Sequence, residues 1–114
     1  MKKILVTGAS GFLGRILIDR LLGYGYEVVA ISRQAIPIDL QDNLSIHWQQ
    51  LDLAIDEIPV NQSTKYYAVF HLAAVLDSVG EDRFVVDNEL ATVRLLQSVG
   101  KSTSKFIFSS TQMV

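Results

Sequence analysis

The segment VTGASGFLGR (residues 6–15) constrains the fold more than any other part of this sequence, because it repeats glycine at intervals of three between two apolar segments. The apolar run ILV precedes the first glycine, and FLGRILIDRLL continues with helical periodicity. This pattern is typical of a chain that leaves a buried strand, turns sharply and enters a helix. The first amides of such a helix have no partner within it, and together with the helix dipole they favour a bound phosphate.

The three glycines of this segment have separate expected roles. Gly8 permits the tight turn, Gly11 brings the backbone close to a pyrophosphate because no Cβ intervenes, and Gly14 lets the helix pack tightly on the sheet. Ser10 can donate its hydroxyl to the same anion. A glycine-rich turn without a ligand is the alternative, but the flanking strand and helix favour nucleotide binding. The expected site comprises Gly8, Ser10, Gly11, Phe12, Leu13 and Gly14.

Short apolar runs recur along the rest of the chain, at residues 3–7, 27–31, 67–72 and 105–110, with 45–49 as a weaker candidate. They are apolar on both faces, as strands of a parallel sheet covered by helices must be. Helices are predicted from about Phe12 to Leu22 and from about Asp82 to Val99. The first of them carries an apolar stripe of Leu13, Ile16, Leu17 and Leu21.

Residues 33–43 and 53–65 each contain a proline and lack helical periodicity, so they predict short helical turns or loops. The whole pattern predicts one α/β domain, residues 1–114, with a Rossmann-type doubly wound parallel sheet. We expect about five strands in the order 3-2-1-4-5.

Composition excludes several classes of function. The 114 residues carry a net charge of −2 with scattered Lys and Arg, which argues against nucleic acid as a partner. The sequence has no cysteine, so disulfides and thiolate metal sites are excluded, and the two histidines fall on different strands, so we expect no metal. The opening MKKILV is too short for a signal peptide, and no apolar run is long enough to cross a bilayer. We expect a cytoplasmic protein with no membrane partner.

Four motifs in order resemble the extended branch of the short-chain dehydrogenase/reductase superfamily, the NAD-dependent epimerase/dehydratase family. They are T-G-x-x-G-x-x-G (7–14), HLAA (71–74), NELATVRLL (88–96, with Ala91 where glycine is more usual) and FIFSST (106–111). The resemblance implies that Leu72, Ala73 and Ala74 line the cofactor's pyrophosphate and nicotinamide-side ribose, and that Asn88 lies near the site. It also implies that Thr111 is the catalytic hydroxyl, which holds the substrate oxygen, with Ser109 and Ser110 as neighbouring alternatives.

The resemblance also bears on the choice of cofactor. An acidic residue commonly holds the adenosine ribose of NAD at the end of the second strand, where this sequence has Ser32 followed by Arg33. A small hydroxyl and a guanidinium suit a 2′-phosphate, so NADP is expected before NAD. Asp52, followed by Leu53, matches the position that accepts a hydrogen bond from the adenine amino group, and a role as a turn residue is equally open.

The family's catalytic Tyr-x-x-x-Lys pair is absent, since none of the four tyrosines has a lysine four residues later. We expect the chain to be the amino-terminal portion of a longer enzyme, without the substrate-binding region, and inactive alone. The full protein would be an oxidoreductase, epimerase or dehydratase acting on a sugar nucleotide or small carbonyl compound. The alternatives are a non-catalytic NADP-sensing module and an assembly module that forms a homodimer through a sheet edge.

Overall fold

A parallel β-sheet forms the centre of the molecule. The computed structural model describes residues 2–53, 55–56, 65–72 and 106–108. Its strands are β1 (Lys3–Thr7), β2 (Glu27–Ser32), β3 (Ile46–Gln50) and β4 (Ala68–His71), in the order β3-β2-β1-β4. The backbone of Phe106–Phe108, β5, runs parallel to β4 on its outer side. The order of the first four strands confirms the predicted Rossmann-type sheet.

The connections between these strands agree with the sequence pattern where the structure describes them. Helix α1 (Phe12–Gly23) joins β1 to β2, and a single 3₁₀ turn (Ile38–Leu40) lies between β2 and β3. The weak strand candidate at 45–49 is β3, shifted by one residue. The predicted helix at 82–99 and most of the segment 53–65 lie outside the described residues. Within the described ranges, no helix combines the length and apolar character needed to span a bilayer.

In β1, β2 and β4 residues on both faces of the sheet are buried, which explains why these strands read as continuous apolar runs. On one face, α1 and the 3₁₀ turn cover alternate strand residues, and this core contains Ile4, Val6, Ala9, Ile18, Leu21, Val28, Ala30, Leu40, Ile46 and Ala68. The other face carries a smaller core of Leu5, Ile31, Leu53, Tyr66 and Val69.

Helix α1 turns a different face to the sheet from the one predicted. Its buried residues are Gly14, Ile18 and Leu21, whereas Leu13 and Ile16 are 49% and 43% exposed. The predicted stripe was therefore wrong at Leu13 and Ile16. The cause is a backbone contact: the helix approaches the preceding turn through Gly14, and this contact fixes the rotation of the helix about its axis.

The carboxyl ends of the parallel strands meet at one edge of the sheet. Thr7, the last residue of β1, is in register with Ile31 of β2 on one side and with His71 of β4 on the other. In an open α/β sheet this edge is where ligands bind. The chain therefore assembles three strand ends around the turn that follows β1.

Candidate functional site

Buried polar side chains locate the site independently of any motif. Among the described residues the buried polar side chains are Thr7, Ser32 and His71, and each is the last residue of its strand. Buried polar groups are more informative than exposed apolar ones, because each must find a hydrogen-bond partner. All three strand ends lie at the edge that carries the glycine-rich turn.

The turn itself reverses the chain within a few residues. Gly8 has φ +68°, in the left-handed region that favours glycine. The Gly11 N–H donates to the Gly8 carbonyl at 3.1 Å, and the Arg15 N–H then donates to the Gly11 carbonyl at 2.9 Å, the first turn of α1. The predicted role of Gly8 in a tight turn is consistent with this conformation.

Gly14 is where the helix lies closest to the turn. A Cβ at this position would lie 2.1 Å from the Gly8 carbonyl oxygen and 3.1 Å from the Ala9 Cα, both backbone atoms. At Gly11 a Cβ would lie 3.3 Å from the same oxygen, which is tight but not prohibitive. Gly14 therefore allows the close helix packing that the sequence predicts.

The amino terminus of α1 opens toward solvent. Gly11 is its N-cap in an extended conformation, no side chain of the described residues caps it, and the first turn contains no acidic residue. The first amides of a helix, here those of Phe12, Leu13 and Gly14, lack acceptors within the helix. Phe12 is 86% exposed, so an anion can reach this end of the helix from solvent. Such an anion can accept hydrogen bonds from these amides and is stabilised by the helix dipole.

Two hydrogen bonds tie the turn to the end of β2. The Ala9 N–H donates to the Ile31 carbonyl at 3.2 Å. The Ser32 hydroxyl donates to the Ser10 hydroxyl at 2.7 Å and accepts the Gln34 N–H at 3.0 Å. Ser10 is exposed, and Ser32 is only 5% exposed. The two serines predicted as cofactor ligands are therefore in direct contact with each other.

The two arginines near the site differ in their contacts. Arg15 forms an ion pair with Asp39 and lies 3.3 Å from Asp19, and the Asp39 hydrogen bond raises the pKa of the guanidinium. Arg33, directly after Ser32, is exposed and has no ion-pair partner among the described residues. Of these two guanidinium groups, that of Arg33 at the end of β2 is the one available to a ligand.

Thr7 and His71 tie β1 to β4 beneath the turn. The Thr7 hydroxyl lies 2.7 Å from the His71 Nδ1 and accepts the Leu72 N–H at 3.1 Å. Burial lowers the pKa of His71 from 6.5 to about 4, so the imidazole is neutral at pH 7 and its Nδ1 can accept the hydroxyl proton. This pair also sets the start of the HLAA segment, because Leu72 is held by Thr7.

Asp52 begins a turn two residues after the end of β3. Its N–H is bound by the Asp56 carboxylate at 2.7 Å, and its carbonyl accepts the Ile55 and Asp56 amides. Leu53 is buried in the smaller core, so its side chain serves packing. The turn role considered for Asp52 is present in the structure, and the contact of its carboxylate with an adenine remains a prediction.

Sequence reasoning missed the roles of Thr7 and Ala9 in fixing the turn. Thr7 was visible as a lone hydroxyl at the end of an otherwise apolar strand, a signal for a buried hydrogen bond. No local signal identifies the backbone bond of Ala9. The remaining predicted site residues lie outside the described residues: Ala73, Ala74, Asn88 and Thr111.

A parallel sheet whose first strand enters a helix through a glycine-rich turn, with open amides at the helix start, defines the dinucleotide-binding class of α/β proteins. Residues 4–114 match the NAD dependent epimerase/dehydratase family. The chain belongs to this family, which confirms the resemblance carried by its motifs.

Individual relatives agree with this assignment. UDP-glucose 4-epimerase of Pisum sativum is 31% identical over 99% of this chain, which spans 37% of that relative's length. The structure of MoeE5 in complex with UDP-glucose and NAD is 28% identical, with a TM-score of 0.75 over 96% of this chain and 36% of that one. Yeast methylglyoxal/isovaleraldehyde reductase Gre2, complexed with NADPH, shares the fold at 18% identity and a TM-score of 0.75, over 96% of this chain and 37% of that one. Proteins with this fold are thus seen in complex with NAD in one case and with NADPH in another.

Proposed function

We propose that this chain binds a nicotinamide dinucleotide, with its diphosphate at the amino terminus of α1 and its adenosine ribose at the end of β2. The observation that carries the proposal is the uncapped start of α1 beside the Gly8 turn. The amides of Phe12, Leu13 and Gly14 have no acceptor within the helix there, and Phe12 and Leu13 are exposed. A diphosphate supplies several acceptor oxygens and negative charge, which these donors and the helix dipole stabilise. Ser10, exposed in the same turn, adds a hydroxyl donor.

The preferred cofactor in this proposal is NADP. A carboxylate at the end of β2 would bind a ribose diol and repel a 2′-phosphate, but this chain has Ser32 there. Arg33, exposed and without an ion-pair partner among the described residues, supplies a charge-assisted donor for the 2′-phosphate. Arg15 plays no such part, because Asp39 and Asp19 hold its guanidinium.

The whole protein, in this proposal, is an epimerase, dehydratase or reductase that acts on a sugar nucleotide or a small carbonyl compound in the cytoplasm. The bound nicotinamide supplies hydride transfer. Membership of the epimerase/dehydratase family and the likeness to a UDP-glucose 4-epimerase support a sugar nucleotide. Thr111 is the proposed hydroxyl that holds the substrate oxygen. A second copy of the chain is the proposed partner at the sheet edge.

Titration calorimetry with NADPH and NADH tests the binding proposal. We expect uptake of both nucleotides, with tighter binding of NADPH. Arg33→Gln should reduce the NADPH preference by roughly 3- to 10-fold, the effect of one partly screened charge-assisted hydrogen bond. Arg20→Gln, the same charge change at an exposed position in the last turn of α1, should leave the preference unchanged. If neither nucleotide gave a binding heat, the proposed function would be refuted. If the two substitutions changed the NADPH preference equally, the role of Arg33 would be refuted.

A further inference from the structure

A chain of hydrogen bonds leads from the backbone after β2 to the glycine-rich turn. The Gln34 N–H donates to the Ser32 hydroxyl at 3.0 Å, and the Ser32 hydroxyl donates to that of Ser10 at 2.7 Å. Ser32 is 5% exposed, whereas Ser10 is exposed. The last group in this series of hydrogen bonds, and the one that faces solvent, is therefore the Ser10 hydroxyl. It lies in the turn where the diphosphate is proposed to bind.

The hydrogen-bonding capacity of each hydroxyl is limited. A serine hydroxyl has one proton to donate and two lone pairs to accept with. Ser32 donates its proton to Ser10 and accepts from Gln34 with one lone pair, so in this arrangement it can act toward a ligand only as an acceptor. Ser10 has used one lone pair and keeps its own proton for an anion. Hydrogen bonds in such a chain strengthen one another.

We propose that Ser10 is a positioning residue that moderates the choice between NAD and NADP by holding the proton of Ser32. This inference rests on the proposed function. A free ribose 2′-hydroxyl can donate to the remaining lone pair of Ser32 while the contact with Ser10 persists. A 2′-phosphate has only acceptor oxygens at neutral pH apart from its last titrating proton. It gains a donor from Ser32 only if the Ser10–Ser32 bond breaks or reverses, and reversal uses the Ser10 proton that would otherwise go to the diphosphate.

The consequence is a division of roles at the end of β2. Arg33 attracts the 2′-phosphate by charge and so favours NADP. The Ser10–Ser32 hydrogen bond limits this preference for NADP, because the Ser32 proton is donated to Ser10 and not to the 2′-phosphate. Removing the Ser10 hydroxyl releases the Ser32 proton to the ribose side, where a phosphate oxygen can accept it. Loss of the Ser10 contact with the diphosphate affects both cofactors alike, because both contain that group.

The ratio of the Kd for NADH to the Kd for NADPH isolates this effect. We expect Ser10→Ala to raise the ratio by about 3- to 10-fold, corresponding to one hydrogen bond gained by NADPH. Ser10→Thr, which keeps the hydroxyl, should keep the ratio near that of the unmodified chain. In the Ser32→Ala background, Ser10→Ala should leave the ratio within about twofold, because no hydroxyl proton remains to be released.

Both titrations use the same preparation of each variant, so an incompletely folded fraction affects both nucleotides equally. Ser45→Ala removes a serine hydroxyl at the opposite end of the sheet, just before β3, and should leave the ratio unchanged. An unchanged ratio in Ser10→Ala, or the same change in both backgrounds, would overturn the inference while leaving nucleotide binding intact. Binding of neither nucleotide by the unmodified chain would overturn the proposed function and the inference with it.

Discussion

Replacing Gly14 by alanine should destabilise the protein, although alanine is the better helix former, because the new methyl group would collide with the turn that precedes α1. The new Cβ would lie 2.1 Å from the Gly8 carbonyl oxygen, where ordinary contact begins at 3.4 Å, so the helix and the turn must separate by about 1.3 Å. The obstructing atom is backbone, which cannot rotate away as the end of a side chain can. The separation also moves the amides of the first helical turn relative to Gly8.

Two opposing contributions set the magnitude of this effect. Alanine in a helix is favoured over glycine by about 1 kcal/mol. Overpacking costs roughly 1 to 3 kcal/mol, and we place the cost at or above the upper value because backbone blocks the new methyl group. The free energy of unfolding should therefore fall by about 2 kcal/mol or more. At a urea dependence of about 2 kcal/mol per molar, the unfolding midpoint should fall by about 1 M.

Gly23→Ala is the matched control in the same helix. A Cβ at Gly23 would meet nothing within 4 Å, so only the gain in helix propensity applies, and the midpoint should stay or rise slightly. Urea unfolding followed by circular dichroism gives both midpoints, and calorimetry with NADH gives the affinities. If Gly14→Ala were as stable as Gly23→Ala, the contact between α1 and the turn would not be the constraint described here.

Two further predictions concern the pair formed by Thr7 and His71. Thr7→Val should lower the free energy of unfolding by about 1 to 3 kcal/mol in urea titrations, because the partly buried Leu72 amide loses the hydroxyl that accepts it. Thr7→Ser should retain most of the stability, and equal losses in the two variants would contradict this. As the pH falls below 6.5, His71 becomes protonated in the unfolded chain, but in the folded protein it stays neutral until about pH 4. The unfolded state therefore binds more protons between these values. The free energy of unfolding should fall by roughly 2 to 3 kcal/mol as the pH is lowered across this window. His71→Asn should reduce that pH dependence, and an unchanged pH profile in this variant would exclude His71 as its source.

The fold was predictable because buried parallel strands leave a simple pattern in the sequence. Residues such as Ile4 and Leu5 face opposite cores, so both must be apolar, and the strand reads as an uninterrupted run. The rotation of α1 was not predictable in the same way. Hydrophobic periodicity counts side chains, and the closest approach of this helix to the turn is made by Gly14, which has none.

The geometry of the glycine-rich turn was predictable because it depends on backbone freedom, whereas contacts between distant residues were not predictable. The conformation of Gly8 and the space at Gly14 agree with the roles assigned from their spacing. Thr7 and His71 are 64 residues apart, and only the register of β1 with β4 brings them together. Arg15 likewise meets Asp39 across 24 residues, so only its weaker pairing with Asp19, four residues further along α1, could be read from the sequence.

The glycine-rich turn is held in place from several directions. Gly14 packs against the turn from the helix, Ala9 and Ser10 tie it to the end of β2, and Thr7 fixes the preceding strand to β4. The open amides are therefore oriented by folding, and a dinucleotide that binds them need not order a flexible loop, which would weaken its affinity. It follows that changes to these tying groups should alter stability and affinity together. A change at Arg33, whose side chain makes no ion pair among the described residues, should alter affinity alone.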